Sequence, residues 1–117
     1  MGKLTTHVLD LVSGRPAAGL GVALYRRSAA GEKLILQVST NSDGRTDHPL
    51  LAGEDFSIGE YEIVFSVGKY FQKCQALQSS PPFLGDVPVR FSIADASAAY
   101  HVPLLCSPWA YQTYRGS

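Results

Sequence analysis

The feature of this sequence that most constrains its fold is an alternation of apolar and polar residues with a period of two. Successive side chains of a β-strand point to opposite faces of a sheet, so this alternation predicts strands with one buried face. Four segments show it clearly, and their apolar members are Leu20, Val22 and Leu24; Leu34, Leu36 and Val38; Tyr61, Ile63, Phe65 and Val67; and Val87, Val89, Phe91 and Ile93. Eleven glycines and seven prolines favour many turns over a helical bundle. We therefore expect an all-β fold.

Three further segments, residues 4–12, 99–107 and 110–115, are rich in β-formers but carry polar groups on both faces. We expect the second face of these strands to contact something besides solvent. One short helix is predicted over residues 69–78, because Tyr70, Cys74 and Leu77 fall at helical spacing before two prolines. Seven or eight strands with one short helix are typical of a β-sandwich.

Length and charge limit the possible partners. The 117 residues fit a single domain, residues 1–117, and a domain this small gains from further burial on oligomerisation. Ten basic and ten acidic residues give a formal net charge of 0, so we expect neither nucleic acid nor a membrane surface as a partner. Cys74 and Cys106 lack metal or redox spacing and are predicted to be reduced, packed thiols. With no apolar signal before the first strand, we expect a cytoplasmic protein.

The candidate chemistry rests on few residues, because common phosphate-binding, nucleophile and zinc motifs are missing from the sequence. By alternation, His7 shares a strand face with Thr5 and two leucines, and His101 shares one with Ala99, Pro103 and Leu105. Alone, a histidine on such a face is more often a hydrogen-bonded structural residue than a catalyst. His48 precedes a proline in a predicted surface loop, and Arg45 follows an Asp-Gly turn and, alone, is expected to be a solvated loop residue. Two histidines without a third ligand make a poor zinc site, so no metal is expected.

Four separated motifs nevertheless occur together: residues 4–10 (LTTHVLD), 43–45 (DGR), 100–105 (YHVPLL) and 114–117 (YRGS). In this order, and over the whole chain, they resemble the 5-hydroxyisourate hydrolases, the transthyretin-related proteins. The resemblance implies an all-β, transthyretin-like (prealbumin-like) sandwich of two four-stranded sheets with one short helix. It also implies a homotetramer, a dimer of dimers, whose sites lie in the cleft between dimers. The first strand and the last two would line that cleft, which would explain their second polar face.

The function implied by the resemblance is hydrolysis of a small-molecule substrate in urate degradation. Water would attack a cyclic amide of 5-hydroxyisourate with help from histidine, giving 2-oxo-4-hydroxy-4-carboxy-5-ureidoimidazoline, with no cofactor. The implied catalytic residues are His7, Arg45, His101 and Ser117, and the implied substrate-binding residues are His7, Arg45, Tyr114 and Arg115. The alternative is a transthyretin-type small-molecule carrier without catalysis, since fold alone does not decide function.

Within this implied site, each residue has a role that suits its chemistry. The two histidines would act on one water, and either could take its proton. The planar guanidinium of Arg45 would steady the oxygen that gains charge. Ser117, with its terminal carboxylate, would orient a histidine or relay a proton, and Arg115 would also anchor the chain end. For one cleft, the side chains of His7, Leu9, His101, Pro103, Leu105, Gln112 and Tyr114 must share a face.

Overall fold

The computed structural model describes residues 2–76 and 78–116, and these contain nine strands. The strands are β1 (Lys3–Asp10), β2 (Arg15–Pro16), β3 (Gly21–Ser28), β4 (Gly31–Ser39), β5 (Leu51–Ala52), β6 (Gly59–Phe65), β7 (Val87–Ile93), β8 (Ala99–Cys106) and β9 (Tyr111–Thr113). A 3-10 turn, Gly53–Asp55, follows β5, and an α-helix, α1 (Val67–Lys73), follows β6.

The strands form two sheets that pack face to face, which confirms the predicted sandwich, although one sheet has five strands where the resemblance implied four. One sheet has the order β2-β1-β8-β9, and β5 also pairs with the start of β1. The other sheet has the order β4-β3-β6-β7. Strands β1 and β8 run parallel, and the other pairs are antiparallel. The two-residue strands β2 and β5 are too short for an alternation to predict them.

The core lies between the sheets and follows the predicted alternation. In β1, every second residue from Leu4 to Asp10 is buried, while Thr5, His7 and Leu9 on the opposite face are half-buried. The facing sheet contributes Val22, Leu24, Tyr61, Ile63 and Phe65. Full burial of one such large apolar side chain stabilises the fold by about 1.5–3 kcal/mol. Because the core takes only one face of β1, its other face stays available for a different role.

Strand β4 is confirmed, but its apolar residues are less buried than the alternation suggests. Leu34 and Val38 are 46% and 39% exposed, and only Leu36 packs against the core. The reason is that β4 is the edge strand of its sheet. A register shift opposite Leu24 and Tyr25 also interrupts its pairing with β3.

The helix begins and ends earlier than predicted, at Val67–Lys73 rather than over residues 69–78. Its buried stripe consists of Val67, Gly68, Tyr70 and Phe71, so Val67 belongs to the helix and not to the preceding strand. The backbone turns into the left-handed region at Gln75, where φ is 56°, which ends the helix before the prolines. The third residue of the predicted stripe, Leu77, lies outside the described residues.

The two cysteines are free, as expected, but only one is packed. Cys106 is buried, and this burial, together with nearby Asp10, raises the pKa of its thiol to about 12. Cys74 is exposed, because it lies just past the last helical turn. Across residues 2–76 and 78–116, no helix has the length and apolar character needed to cross a membrane.

Candidate active site

The parallel pairing of β1 with β8 brings the two candidate histidines onto one face of the sheet. Thr5 lies opposite His101, and His7 lies opposite Pro103. Partnered residues in a sheet point to the same side, so both imidazoles project away from the core. Their ring centroids are 6.3 Å apart, and the ring planes are inclined by 26°. A single water or a small planar substrate can therefore contact both rings.

Arg45 reaches this face because a tight turn docks on β1. The side-chain oxygen of Asn41 accepts hydrogen bonds from the backbone N–H groups of Asp43 and Arg45, at 2.9 and 3.2 Å. The N–H of Val8 donates to the carbonyl of Gly44 at 2.8 Å, and a β-bridge pairs Arg45 with His7. A side chain at position 44 would lie 2.5 Å from the Val8 carbonyl, and φ there is +73°. Glycine is therefore required for Arg45 to stand beside His7.

The electrostatics of the face favour neutral imidazoles. Partial burial, followed by the nearby Arg45 charge, lowers the pKa of His7 below its ordinary value of 6.5. The same two causes, with a smaller contribution from His7, lower the pKa of His101. A histidine with a lowered pKa is uncharged at neutral pH and keeps a nitrogen lone pair. Both rings can therefore accept a proton under those conditions.

Two neighbours hold His101. The hydroxyl Oγ1 of Thr5 lies 2.8 Å from its Nδ1. The backbone N–H of Gly116 donates to the His101 carbonyl at 2.7 Å, so the end of the chain folds back onto β8. Gly116 also lies against the ring, because an added Cβ there would be 2.7 Å from the His101 Cδ2. The chain end thus borders the histidine that the sequence placed in the site.

Two of the remaining predicted residues, Gln112 and Arg115, lie on opposite faces of the sheet that contains β8. Gln112 pairs with Leu105 and so shares the histidine face. The Arg115 guanidinium instead lies over the Tyr100 ring, with its central carbon 4.2 Å from the ring centroid. Since Tyr100 and His101 are consecutive in a strand, Arg115 lies on the opposite face from the His101 ring. This contact fits an anchoring role, while the predicted substrate contact of Arg115 stays a prediction.

Within residues 2–76 and 78–116, Tyr114 and His48 are not joined to the histidine pair by any hydrogen bond or ring contact. Tyr114 is exposed and lines a groove of about 190 Å³ together with Val89 and Phe91. His48 is exposed in the loop before β5, as expected. Ser117 lies outside the described residues. Among residues 2–76 and 78–116, no three His, Cys, Asp or Glu side chains are grouped as metal ligands would be.

Comparison with known proteins shows the family to which this chain belongs. The family model described as the HIUase/Transthyretin family matches residues 4–116. The chain belongs to the HIUase/Transthyretin family. Among its members, the protein named 5-hydroxyisourate hydrolase 2 of Rhizobium meliloti (strain 1021) is 55% identical over 116 residues, which are 99% of this chain and 97% of that relative.

Solved structures of other proteins have the same fold as this chain. The structure of Klebsiella pneumoniae 5-hydroxyisourate hydrolase has a TM-score of 0.83 and 28% identity, and the match covers 100% of both chains. The structure of (S)-allantoin synthase has a TM-score of 0.94 and 44% identity. That match covers 99% of this chain and 44% of the synthase chain, so this family member spans less than half of that protein. The resemblance and fold predicted from the sequence are confirmed.

Sequence reasoning missed three residues that shape the site, namely Thr5, Asn41 and Gly116. The alternation placed Thr5 on the face of His7, but its contact with His101 depends on the register of β1 against β8. Asn41 lies two residues before the Asp-Gly turn, and its spacing of two and four residues from the N–H groups it binds is the signal that identifies its role. Gly116 belonged to a recognised motif, without a contact assigned to it.

Proposed function

We propose that this chain hydrolyses 5-hydroxyisourate by opening its six-membered ring. The observation that carries the proposal is the pair of half-buried histidines on one sheet face, 6.3 Å apart, with Arg45 beside His7. The lowered pKa of each imidazole supplies two neutral bases. Membership of a family that includes 5-hydroxyisourate hydrolases adds the substrate class.

The proposed reaction begins with a water held between the two rings. One imidazole takes a proton from this water as its oxygen bonds to the carbonyl carbon of the cyclic amide. The carbon–nitrogen bond then breaks, and the proton held by the histidine goes to the leaving nitrogen. One water is consumed, and the ring-opened acid is 2-oxo-4-hydroxy-4-carboxy-5-ureidoimidazoline. The step balances without a metal or another cofactor.

Arg45 is proposed to stabilise the charge that develops on the carbonyl oxygen. A guanidinium presents several donors in one plane and can bind two oxygens at once, which suits a substrate with several carbonyl groups. Its position beside His7 also keeps that ring neutral through charge repulsion. Arg45 thus keeps His7 neutral as a base and stabilises the negative charge on the carbonyl oxygen.

The complete site is proposed to form between copies of the chain, in the cleft between the dimers of a homotetramer. The histidine face is half-buried in one chain and carries apolar Leu9 and Leu105 beside the polar groups. Covering it with a second copy would exclude water and strengthen the electrostatic interactions. Tyr114 and Ser117 are proposed to contact the substrate and orient a histidine in that cleft. The two free cysteines fit a cytoplasmic location.

Turnover separates the proposed hydrolase from the alternative, a transthyretin-type carrier. Urate is mixed with urate oxidase, and the decay of the transient ultraviolet absorbance of 5-hydroxyisourate is followed with and without the purified chain. A hydrolase accelerates the decay at concentrations far below that of the substrate. Binding that saturates at one equivalent per site, with no acceleration of the decay, would refute the proposed hydrolase function and support the carrier function.

A further inference from the structure

The hydrogen bond between Thr5 and His101 assigns different tasks to the two ring nitrogens of this histidine. Oγ1 of Thr5 lies 2.8 Å from Nδ1, and the two residues face each other directly across β1 and β8. Among residues 2–76 and 78–116, Thr5 is the one side chain that makes a hydrogen bond to this ring. Nε2 is therefore the nitrogen left for substrate or water.

A threonine hydroxyl can accept a hydrogen bond as well as donate one, and the proton position on the ring decides which occurs. When Nδ1 carries the proton of the neutral ring, Oγ1 accepts a hydrogen bond from Nδ1–H, and Nε2 holds a lone pair. When the ring becomes an imidazolium, Nδ1 carries a proton in every case, and Oγ1 must then act as the acceptor. The same contact thus suits the ring before and after it receives a proton at Nε2.

We propose that Thr5 is a positioning residue for the reaction proposed above, on which this inference rests: its hydroxyl accepts a hydrogen bond from Nδ1–H of His101, so that Nε2 is the nitrogen that takes the proton from water. Thr5 itself forms and breaks no covalent bond. The water proton moves to Nε2, and the imidazolium is stabilised through the Nδ1–H···Oγ1 hydrogen bond. After the carbon–nitrogen bond breaks, Nε2 returns the proton to the leaving nitrogen.

The surroundings of the ring give this hydrogen bond particular weight. Burial lowers the pKa of His101 most, and the charges of Arg45 and of protonated His7 act in the same direction. All three disfavour the imidazolium that the reaction requires as an intermediate. The uncharged hydroxyl of Thr5 favours this imidazolium, because Oγ1 accepts a hydrogen bond from its Nδ1–H. Gly116 limits movement of the ring on its Cδ2 side, so the two contacts together fix the direction of Nε2.

The test compares Thr5→Val, which keeps the branched shape and removes the hydroxyl, with Thr5→Ser, which keeps the hydroxyl. We expect Thr5→Val to lower kcat by about 10- to 100-fold with little change in KM, because it disturbs the base rather than the binding of substrate. The acid limb of the pH profile of kcat/KM for Thr5→Val should move to lower pH, because the imidazolium of His101 loses a stabilising hydrogen bond. Thr5→Ser should stay close to the wild-type kcat. The matched control is Thr6→Val, since Thr6 is buried on the opposite face and its hydroxyl donates to the Val102 carbonyl.

A second readout, independent of activity, is the ¹⁵N NMR spectrum of the histidine ring nitrogens in the folded protein. We expect neutral His101 to carry its proton on Nδ1 in the wild type and in Thr6→Val, and this preference to disappear in Thr5→Val. A wild-type ring protonated on Nε2 would overturn the proposal, as would unchanged kcat in Thr5→Val. If the wild type fails to turn over 5-hydroxyisourate, the proposed function falls, while the ring tautomer still tests the role of Thr5.

Discussion

Substitution of Gly116 by alanine tests whether the end of the chain holds the His101 ring. An alanine Cβ at this position would lie 2.7 Å from Cδ2 of His101 and 3.2 Å from its Cβ. Ordinary contacts begin at 3.4 Å, so the ring or the chain end must move by about 0.7 Å to restore one. A misplacement of about 1 Å at a catalytic group can cost about 100-fold in rate. We therefore expect Gly116→Ala to lower kcat by about 10- to 100-fold.

This loss should occur without a loss of folding stability. The φ of Gly116 lies outside the left-handed region, so alanine can adopt it, and Gly116 is not part of the hydrophobic core. Gly85→Ala is the matched control, since an added Cβ there meets no atom within 4 Å and its φ is also outside the left-handed region. The assay is the urate oxidase coupled reaction, with thermal melting of each variant. A Gly116→Ala protein as active as Gly85→Ala would refute the idea that the chain end constrains the ring.

Three further predictions concern pH, Arg45 and the core. Because the pKa of each site histidine lies below its ordinary value of 6.5 and the neutral form is the base, the midpoint of the acid limb of kcat/KM should lie below pH 6.5; a midpoint above pH 6.5 would contradict this. Arg45→Lys should lose at least about tenfold in kcat, because an ammonium lacks the planar donor pair, while Arg15→Lys should retain activity. Tyr70→Phe removes a donor to the buried Asp10 carboxylate, so the free energy of unfolding in urea should fall by about 1–3 kcal/mol with kcat unchanged.

The shared face of the two histidines was predictable from sequence, whereas their contacts were not. Alternation within one strand places His7 with Thr5, and within another it places His101 with Pro103, so each face can be assigned by counting residues. The contact of Thr5 with His101 depends instead on how far β1 slides along β8. Parallel strands far apart in sequence have no turn that sets their register, so a single sequence does not reveal it.

Other differences have equally local causes. Val67 continues the alternation of β6, but the helix begins at this residue, which is buried together with Tyr70 and Phe71. Arg115 stands in a motif that suggested a substrate contact, but the face it occupies depends on where β9 ends and how the chain then turns. Its guanidinium stacks on Tyr100, a contact that needs the folded positions of both residues. Sequence patterns thus predicted the faces of strands better than the ends of elements.

The most direct test of the central claim, that the histidine pair of β1 and β8 drives hydrolysis, is the coupled-assay rate of three alanine variants. We expect His7→Ala and His101→Ala each to lower turnover by about 10²- to 10⁴-fold, the usual cost of losing a general base. His48→Ala is the control, because His48 is exposed in a loop outside the site, and it should match the wild type. Near wild-type turnover in His7→Ala or His101→Ala would contradict the account.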